Sequence, residues 1–355
     1  MAEFGADVIK VELPGQGDGT RYRHPLVNGH SVAWAMRARN KRGITLDVRT
    51  EKGRALFLRL VRESDVVVEN FRSGTLEKWG LGWDVLQAEN PRLILVRVSG
   101  FGQDGPYANR SAFDRIGLAM AGFTHVNGSP ERPPLRPGVL LSDYSSALFG
   151  VLGVMALLHR RARTGRGGVV DLGIYESVLR MMGDVAAVYD RHGVVRQRQG
   201  ALWPGYGFFV NAKAADGLWV AVSAREEETV AAAVQQLGMP QENGTADTLR
   251  AWIATLPGDE AVARLRLHGV ACSVVQTVDR LVQDPHVQAR RNCITLNDAN
   301  LGPVTVQGPI PHLSLTPGQV TRGGPGLGEH NQDVYGELLG LTADEMEALK
   351  QENVI

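Results

Sequence analysis

Cysteine is nearly absent: the chain has two in 355 residues, Cys272 and Cys293, far apart. That excludes a disulfide framework, and the spacing suits no metal, as expected of a protein kept in a reducing cytoplasm. Histidine is sparse too, nine in all, with no HExxH or other close pair, so no metal site is expected. An excess of either charge is also lacking. Lysine plus arginine and aspartate plus glutamate number 38 each, so no global field favours nucleic acid or an acidic membrane surface. Local basic clusters must hold any anion. The longest uninterrupted apolar run, Ala147 to Leu158, has 12 residues, short of the ~20 that a membrane-spanning helix needs. The opening MAEFGADVIKVE carries acidic groups and no secretory pattern.

What is present is the composition of a globular protein with a full core, 43% hydrophobic and 21% charged, and the length suggests two domains. The N-terminal half alternates. ADVIKVEL (6–13), GITLDV (43–48), DVVVEN (65–70), RLILVRVS (92–99) and GVVDLGI (168–174) read as strands, near-continuously apolar as in a sheet covered on both faces. Helical patterns lie between them, one from Thr50, another over TLEKWGLGWDVLQAENP, and a third in SALFGVLGVMALLHRRARTG. In the third, Leu148, Val151, Leu152, Met155 and Leu158 make one face and Gly165 closes the end. Strand and helix in alternation predict an α/β fold with a parallel sheet and right-handed crossovers. Residues 1–190 are thus read as a large domain. After an irregular stretch over 193–217, strands DGLWVAVSA and VACSVVQTV and the helices between them predict a smaller α+β domain over 205–300. Residues 301–355 read as a glycine- and proline-rich strap followed by a C-terminal helix.

Ligands of open parallel sheets sit beyond the carboxyl ends of the strands. Two such ends stand out: Asn70-Phe71-Arg72, and Gly100-Phe101-Gly102-Gln103-Asp104-Gly105. The second is a literal GxGxxG, but its last glycine is followed by Pro106-Tyr107-Ala108-Asn109-Arg110 rather than an apolar helix, so a dinucleotide site is not expected. Basic residues gather at Arg37, Arg39, Lys41, Arg42 and Arg49, and again at Arg72 and Lys78. They fit a solvated surface or a phosphate-binding edge equally. Asp143, just ahead of the apolar run, reads first as a helix N-cap. It is also compatible with a carboxylate presented into a cleft. Glu329, His330 and Asp333 in GEHNQDVYGELLG read as parts of a capped surface helix rather than as catalytic groups.

Seven stretches in order, from GADVIKVELPGQGD, NKRGITLDVRTEKGR and VVVENFRSGTLEKWGLG to VSGFGQDGPYANRSAFD, RPGVLLSDYSSALFGVLGVMALLHRRARTGRGGVVD, GVACSVVQTVDRLVQDPHVQAR and LGEHNQDVYGELLG, resemble the class III CoA-transferases. That family includes formyl-CoA transferase, carnitine CoA-transferase and the α-methylacyl-CoA racemases. The resemblance implies a Rossmann-like large domain built from both chain ends, a small α+β domain, and an interlocked homodimer. It implies that CoA moves from an acyl-CoA to a free carboxylic acid, with coenzyme A as substrate and no permanently bound cofactor. The family's catalytic aspartate falls on Asp143. Its CoA contacts fall on Leu46, Arg49, Asn70, Phe71, Arg72 and Lys78, and on Ser111 and Asp114. A loop that excludes water is expected at 200–207. Arg110 and Arg136 are candidate anchors for a distal carboxylate. Two departures bear on function. Phe113 stands where the racemase branch has a histidine base, which favours transfer over racemisation. The family's opening strand and helix have no counterpart before Gly5. An acyl-CoA racemase and a non-catalytic acyl-CoA-binding protein are the alternatives.

Overall fold

A computed structural model describes residues 1–200, 205–239 and 244–355. The middle of the expected water-excluding loop, 201–204, therefore lies outside the described residues. The chain divides into two compact units: Met1–Gly117 with Ser142–Ser177 and Val282–Ile355, and Leu118–Leu141 with Val178–Leu281. These bounds differ from breaks at 190 and 300. A break at 300 would cut the antiparallel hairpin Cys293–Asp298/Gly302–Gln307, whose turn is held by Asp298 Oδ1 accepting from the Asn300 and Leu301 N–H groups at 2.9 and 3.0 Å.

The first unit has the expected mixed α/β character, with five parallel strands. Strand β1 (Val8–Glu12) pairs with β2 (Lys41–Thr45), and β3 (Val66–Glu69), β4 (Ile94–Ser99) and β5 (Gly168–Gly173) pair in the order β3-β4-β5. The strands thus form two ladders rather than one sheet. Both draw on the helix Glu51–Arg62, where the Thr50 side chain accepts from Gly53 N–H as N-cap. Leu56 and Leu60 of that helix pack with Ile44 and Leu46, while Val61 packs with Leu93 and Leu95.

The segment after 326 is not a surface helix. Val334 and Tyr335 are fully buried with Leu56, Leu60 and Ile355. His330 and Asn331 run along β2: His330 N–H donates to Gly43 O at 2.9 Å, Gly43 N–H to His330 Nδ1 at 3.2 Å, and Thr45 N–H to Asn331 Oδ1 at 2.9 Å. The Tyr335 hydroxyl donates to Thr45 O at 2.6 Å. Covering an open strand edge in this way satisfies backbone groups that would otherwise stay unpaired, and it occupies the polar residues that might have been read as catalytic.

The helix Leu141–Thr164 packs through its small residues. The leucine face exists but points outward: Leu148 is 73% exposed, and Leu152 and Met155 are also exposed. The buried face is made of Ser142, Ser145, Ser146, Gly150, Val154 and Arg161. A side chain at Gly153 would meet Val170 Cγ1 at 2.7 Å, so small residues are what permit the helix to approach β5 closely. Apolar periodicity locates a face but does not say whether it meets the chain's own sheet. By length and composition alone this helix could cross a membrane. In the fold, however, its small face lies on β4 and β5 beside Ile94 and Val96.

The second unit carries the antiparallel strands β6 (Phe208–Lys213), β7 (Trp219–Ala224) and β8 (Ala271–Val274), ordered β8-β7-β6. Its core gathers Val220, Val222, Val230, Leu249, Ile253 and Leu265 from these strands and the helices Glu227–Gln236, Gly244–Ile253 and Gly258–Leu267. Strand β6 lay hidden in the irregular stretch of the sequence, where glycines and aromatics flank its alternating FFVNAK.

Candidate active site at the carboxyl edge of the parallel strands

Topology places the candidate residues of the first unit at the carboxyl ends of its parallel strands. Parallel strands need crossovers, so each connection leaves a carboxyl end and re-enters at an amino end. Leu46 and Arg49 follow β2, Asn70, Phe71 and Arg72 follow β3, and the loop from Gly100 follows β4. The helix Leu141–Thr164 feeds the amino end of β5, which puts its own amino end, and Asp143, at the same edge.

The polar patch SDYSS divides by face. Ser142, Ser145 and Ser146 turn inward and satisfy one another. Ser145 Oγ and Ser146 Oγ lie 2.8 and 3.1 Å from Ser177 Oγ, and Ser146 Oγ donates to Ser142 O at 2.6 Å. Asp143 and Tyr144 turn outward and are exposed. Asp143 is not the N-cap. It is the third residue of a helix that starts at Leu141, and the capping carboxylate is Asp114, whose Oδ1 accepts from Ser142 N–H at 2.9 Å and Ser142 Oγ–H at 3.0 Å. Asp114 is buried and committed to this role rather than open to a ligand. Relieved of capping, the Asp143 carboxylate has no hydrogen bond or ion pair among the described residues.

Partial burial pushes the Asp143 carboxyl above the usual aspartate range, the Asp114 carboxylate adds to the effect, and Arg37 and Arg23 oppose it. Solvent still reaches the side chain, which limits the desolvation without reversing it. A carboxylate made more basic by its surroundings is a better nucleophile once ionised.

The loop after β3 is held by a buried ion network that the sequence reading missed. Glu69 and Arg97 are register partners on neighbouring strands. Glu69 Oε1 accepts from Arg97 Nε–H at 2.7 Å, and its Oε2 accepts from Phe71 N–H at 2.7 Å. The rest of the guanidinium forks onto Glu77 at 2.7 and 3.1 Å, and this hydrogen bonding holds the Glu77 carboxyl below its usual range. A lone arginine within LILVRVS and a glutamate closing VVVE were the signal: opposite charges in adjacent apolar strands. Removing one partner of such a buried pair typically costs about 3–5 kcal/mol.

The network fixes both ends of the segment bearing Asn70, Phe71, Arg72 and Lys78, all of them exposed. The Phe71 ring sits edge-on to Trp79, centroids 4.9 Å apart. Arg72 and Lys78 have no carboxylate partner among the described residues, whereas Arg49 chelates Asp47 through two bonds of 2.7 Å and draws the Asp47 carboxyl down. Leu46 is buried in the β2 core. Ser111 is exposed, and Arg110 stacks on the Tyr107 ring at 3.6 Å. Arg136 belongs to the second unit, exposed, with Nη1 donating to Pro137 O at 3.4 Å. After Gly105 the chain turns and forms no helix until Asp114, so the GxGxxG match does not open a phosphate-binding helix. Among the described residues, no three His, Cys, Asp or Glu side chains converge as metal ligands. What remains at the edge is an open carboxylate, cations on neighbouring loops and an aromatic pair, a set that suits a large phosphorylated ligand and a nucleophilic step beside it.

The sequence model of CoA-transferase family III matches residues 1–331. The chain is 40% identical to the succinyl-CoA–D-citramalate CoA-transferase of Chloroflexus aurantiacus over 373 residues, covering 100% of this chain and 92% of that enzyme. It is 31% identical to the formyl-CoA:oxalate CoA-transferase of Streptomyces avermitilis, covering 100% of this chain and 94% of the relative. Its fold resembles the crystal structure of a CAIB/BAIF family protein from Brucella suis, with a TM-score of 0.84 at 31% identity over 95% of this chain and 93% of the other.

The geometry around Asp143 yields a prediction. Asn at position 114 keeps a capping oxygen but removes a negative charge that raises Asp143. Asp114→Asn should therefore lower the midpoint at which the Asp143 carboxyl carbon titrates in a ¹³C NMR experiment. An unmoved or higher midpoint would contradict the electrostatic pairing.

Proposed function

Because the chain belongs to CoA-transferase family III and is a CoA-transferase, we propose that it moves CoA between carboxylic acids through covalent intermediates on Asp143. The observation that carries this reading is an unbonded, exposed carboxylate in the first turn of a long helix whose cap is supplied by another residue. Exchange between two carboxylic acids has little net driving force, so the barrier is what the protein must lower, and a carboxylate nucleophile divides it.

The steps balance as follows. An Asp143 oxygen attacks the thioester carbonyl of the donor, and CoA leaves as thiolate, giving a mixed anhydride. The thiolate attacks the aspartyl carbonyl carbon, releasing the donor acid as carboxylate and forming an aspartyl-CoA thioester. The acceptor carboxylate then attacks that thioester, expelling thiolate again. In the last step the thiolate takes the acceptor's acyl carbon and returns Asp143 as a free carboxylate. Water would hydrolyse either intermediate, so exclusion of solvent belongs to the reading.

Arg49, Arg72 and Lys78 are proposed to bind the phosphates of CoA, and Asn70, Phe71 and the backbone at Leu46 to line its path. The buried Glu69–Arg97–Glu77 network supports this by holding the loop in place. Ser111 is proposed as a polar contact at the same edge. Coenzyme A enters and leaves as substrate, with no permanently held cofactor. A cytoplasmic setting is supported by the two free cysteines, Cys272 and Cys293. Racemisation is disfavoured because Phe113, 79% exposed beside Asp114, offers no second base.

Asp143→Asn tests the reading. Turnover should fall by at least about 10³-fold, as for loss of an essential nucleophile, while calorimetry finds CoA binding within a few-fold of the parent. An asparagine variant that retains full activity would overturn it. The working form is proposed to be a homodimer in which a second copy covers Tyr144, Leu148, Leu152 and Met155, a continuous exposed stripe on the catalytic helix. Sedimentation at micromolar concentration should give a dimer, and Leu152→Asp should shift it toward monomer. A parent protein that sediments as a monomer would contradict the assembly.

A further inference from the structure

The glycine-rich loop after β4, residues 100–105, takes no part in the steps above, yet its backbone is tied on both sides. Glu69, Arg97 and Asp171 are register partners across β3, β4 and β5, so their side chains share one face of the sheet. The carboxylates at the two ends of this row each receive a loop. Glu69 Oε2 accepts from Phe71 N–H at 2.7 Å, and Asp171 Oδ2 accepts from Gln103 N–H at 3.0 Å. Gly102 donates its N–H to Ser99 Oγ and accepts at its carbonyl oxygen from the Ser73 hydroxyl, both at 3.0 Å. The last of these bonds joins the loop after β3 to the loop after β4.

Close packing fixes this loop further. Gly102 has a φ of 88°, which glycine adopts without strain, and a side chain at Gly173 would come within 3.1 Å of Gly102 N. Where the loop returns, a side chain at Gly100 would meet Ala112 Cβ at 2.6 Å, so its two ends lie against each other. Just beyond Ala112 stands Asp114, which caps the long helix through Ser142 N–H at 2.9 Å. The segment 70–78, the loop after β4, Asp114 and Ser142 thus form one connected path inside the first unit. That path ends on the residue next to Asp143.

We infer that Ser73 and Asp171 are positioning residues, which hold the loop proposed to carry CoA at a fixed place relative to Asp143. This rests on the CoA-transferase reading above and adds to it two residues that act through the loop backbone. The chemistry needs such a tie. Once the mixed anhydride has formed, CoA is a free thiolate retained only by its protein contacts, and it must attack the aspartyl carbonyl before water does. A thiolate held in reach recaptures the intermediate. One carried out of reach by a shift of its loop leaves the anhydride to water. That hydrolysis gives the donor carboxylate, the Asp143 carboxylate and two protons, one of which leaves CoA as the thiol.

The test uses the full chain with succinyl-CoA and D-citramalate, the pair named in the 40% identical relative, and the variants Ser73→Ala, Ser73→Thr, Asp171→Ala and Asp171→Asn. Transfer conserves the thioester, so free thiol reports hydrolysis alone. Circular dichroism checks folding, and two independent ties keep the test open to refutation if one alanine variant does not fold. In Ser73→Ala and Asp171→Ala, kcat for transfer should fall by about 10-fold or more, part of the ~10²-fold that a 1 Å misplacement can cost. Thiol released per CoA transferred should rise several-fold, while the CoA dissociation constant stays within a few-fold of the parent. Ser73→Thr keeps the hydroxyl and Asp171→Asn keeps an accepting oxygen, so both should return toward parent behaviour. A proportional fall of transfer and hydrolysis, a loss confined to CoA affinity, or alanine variants that match the parent would each overturn the inference. If Asp143→Asn is inactive while the alanine variants match the parent, the positioning role alone fails. If Asp143→Asn is active, the underlying reading fails first.

Discussion

The bond on which the site depends is the pair of contacts from Asp114 Oδ1 to the Ser142 N–H and hydroxyl. A helix amino end leaves N–H groups unsatisfied, and a nearby aspartate would ordinarily be drawn in to satisfy them. Here the carboxylate that does so comes from a different segment and is buried. Asp143 is thereby left in the first turn with nothing to hold, and with a like charge next door that makes it more basic. One aspartate gives up freedom so that the other keeps it. The serines at 142, 145 and 146 complete the arrangement by directing their hydroxyls inward, away from the face that carries Asp143.

A second constraint is closeness. Gly150, Gly153 and the serines let the helix lie against β4 and β5, which sets the position of Asp143 relative to the strand ends. The cost is that its leucines face outward. On the neighbouring strands, a buried Glu69–Arg97 pair stiffens the loop that carries Asn70, Phe71, Arg72 and Lys78. Buried ion pairs of this kind seldom add net stability, and here the pair ties both ends of the loop to the strands.

Much of this was legible in the sequence. The five parallel strands of the first unit and the helix from Thr50 follow from apolar runs and a cap, because those signals are local. Asp143 stood out as a polar interruption, and of its two readings the local pattern favoured the cap, which the structure gives to Asp114 instead. The residue that does the capping lies 28 positions before Ser142, and no local pattern reports a bond of that range. Periodicity located the leucine face of the long helix but is blind to which surface such a stripe meets. The His330–Tyr335 segment read as surface because its polar residues match a cap motif, while their true partners are backbone groups of β2.

The central claim is that an oxygen of Asp143 is exchanged in every catalytic cycle. If the enzyme turns over an acceptor acid with both carboxylate oxygens replaced by oxygen-18, the last step leaves one of those atoms on the aspartate. Protease digestion and mass spectrometry should then find the peptide containing Asp143 heavier by one or two oxygen-18 atoms, and the peptide containing Asp114 unlabelled. A peptide around Asp143 that stays unlabelled through many turnovers would contradict the account.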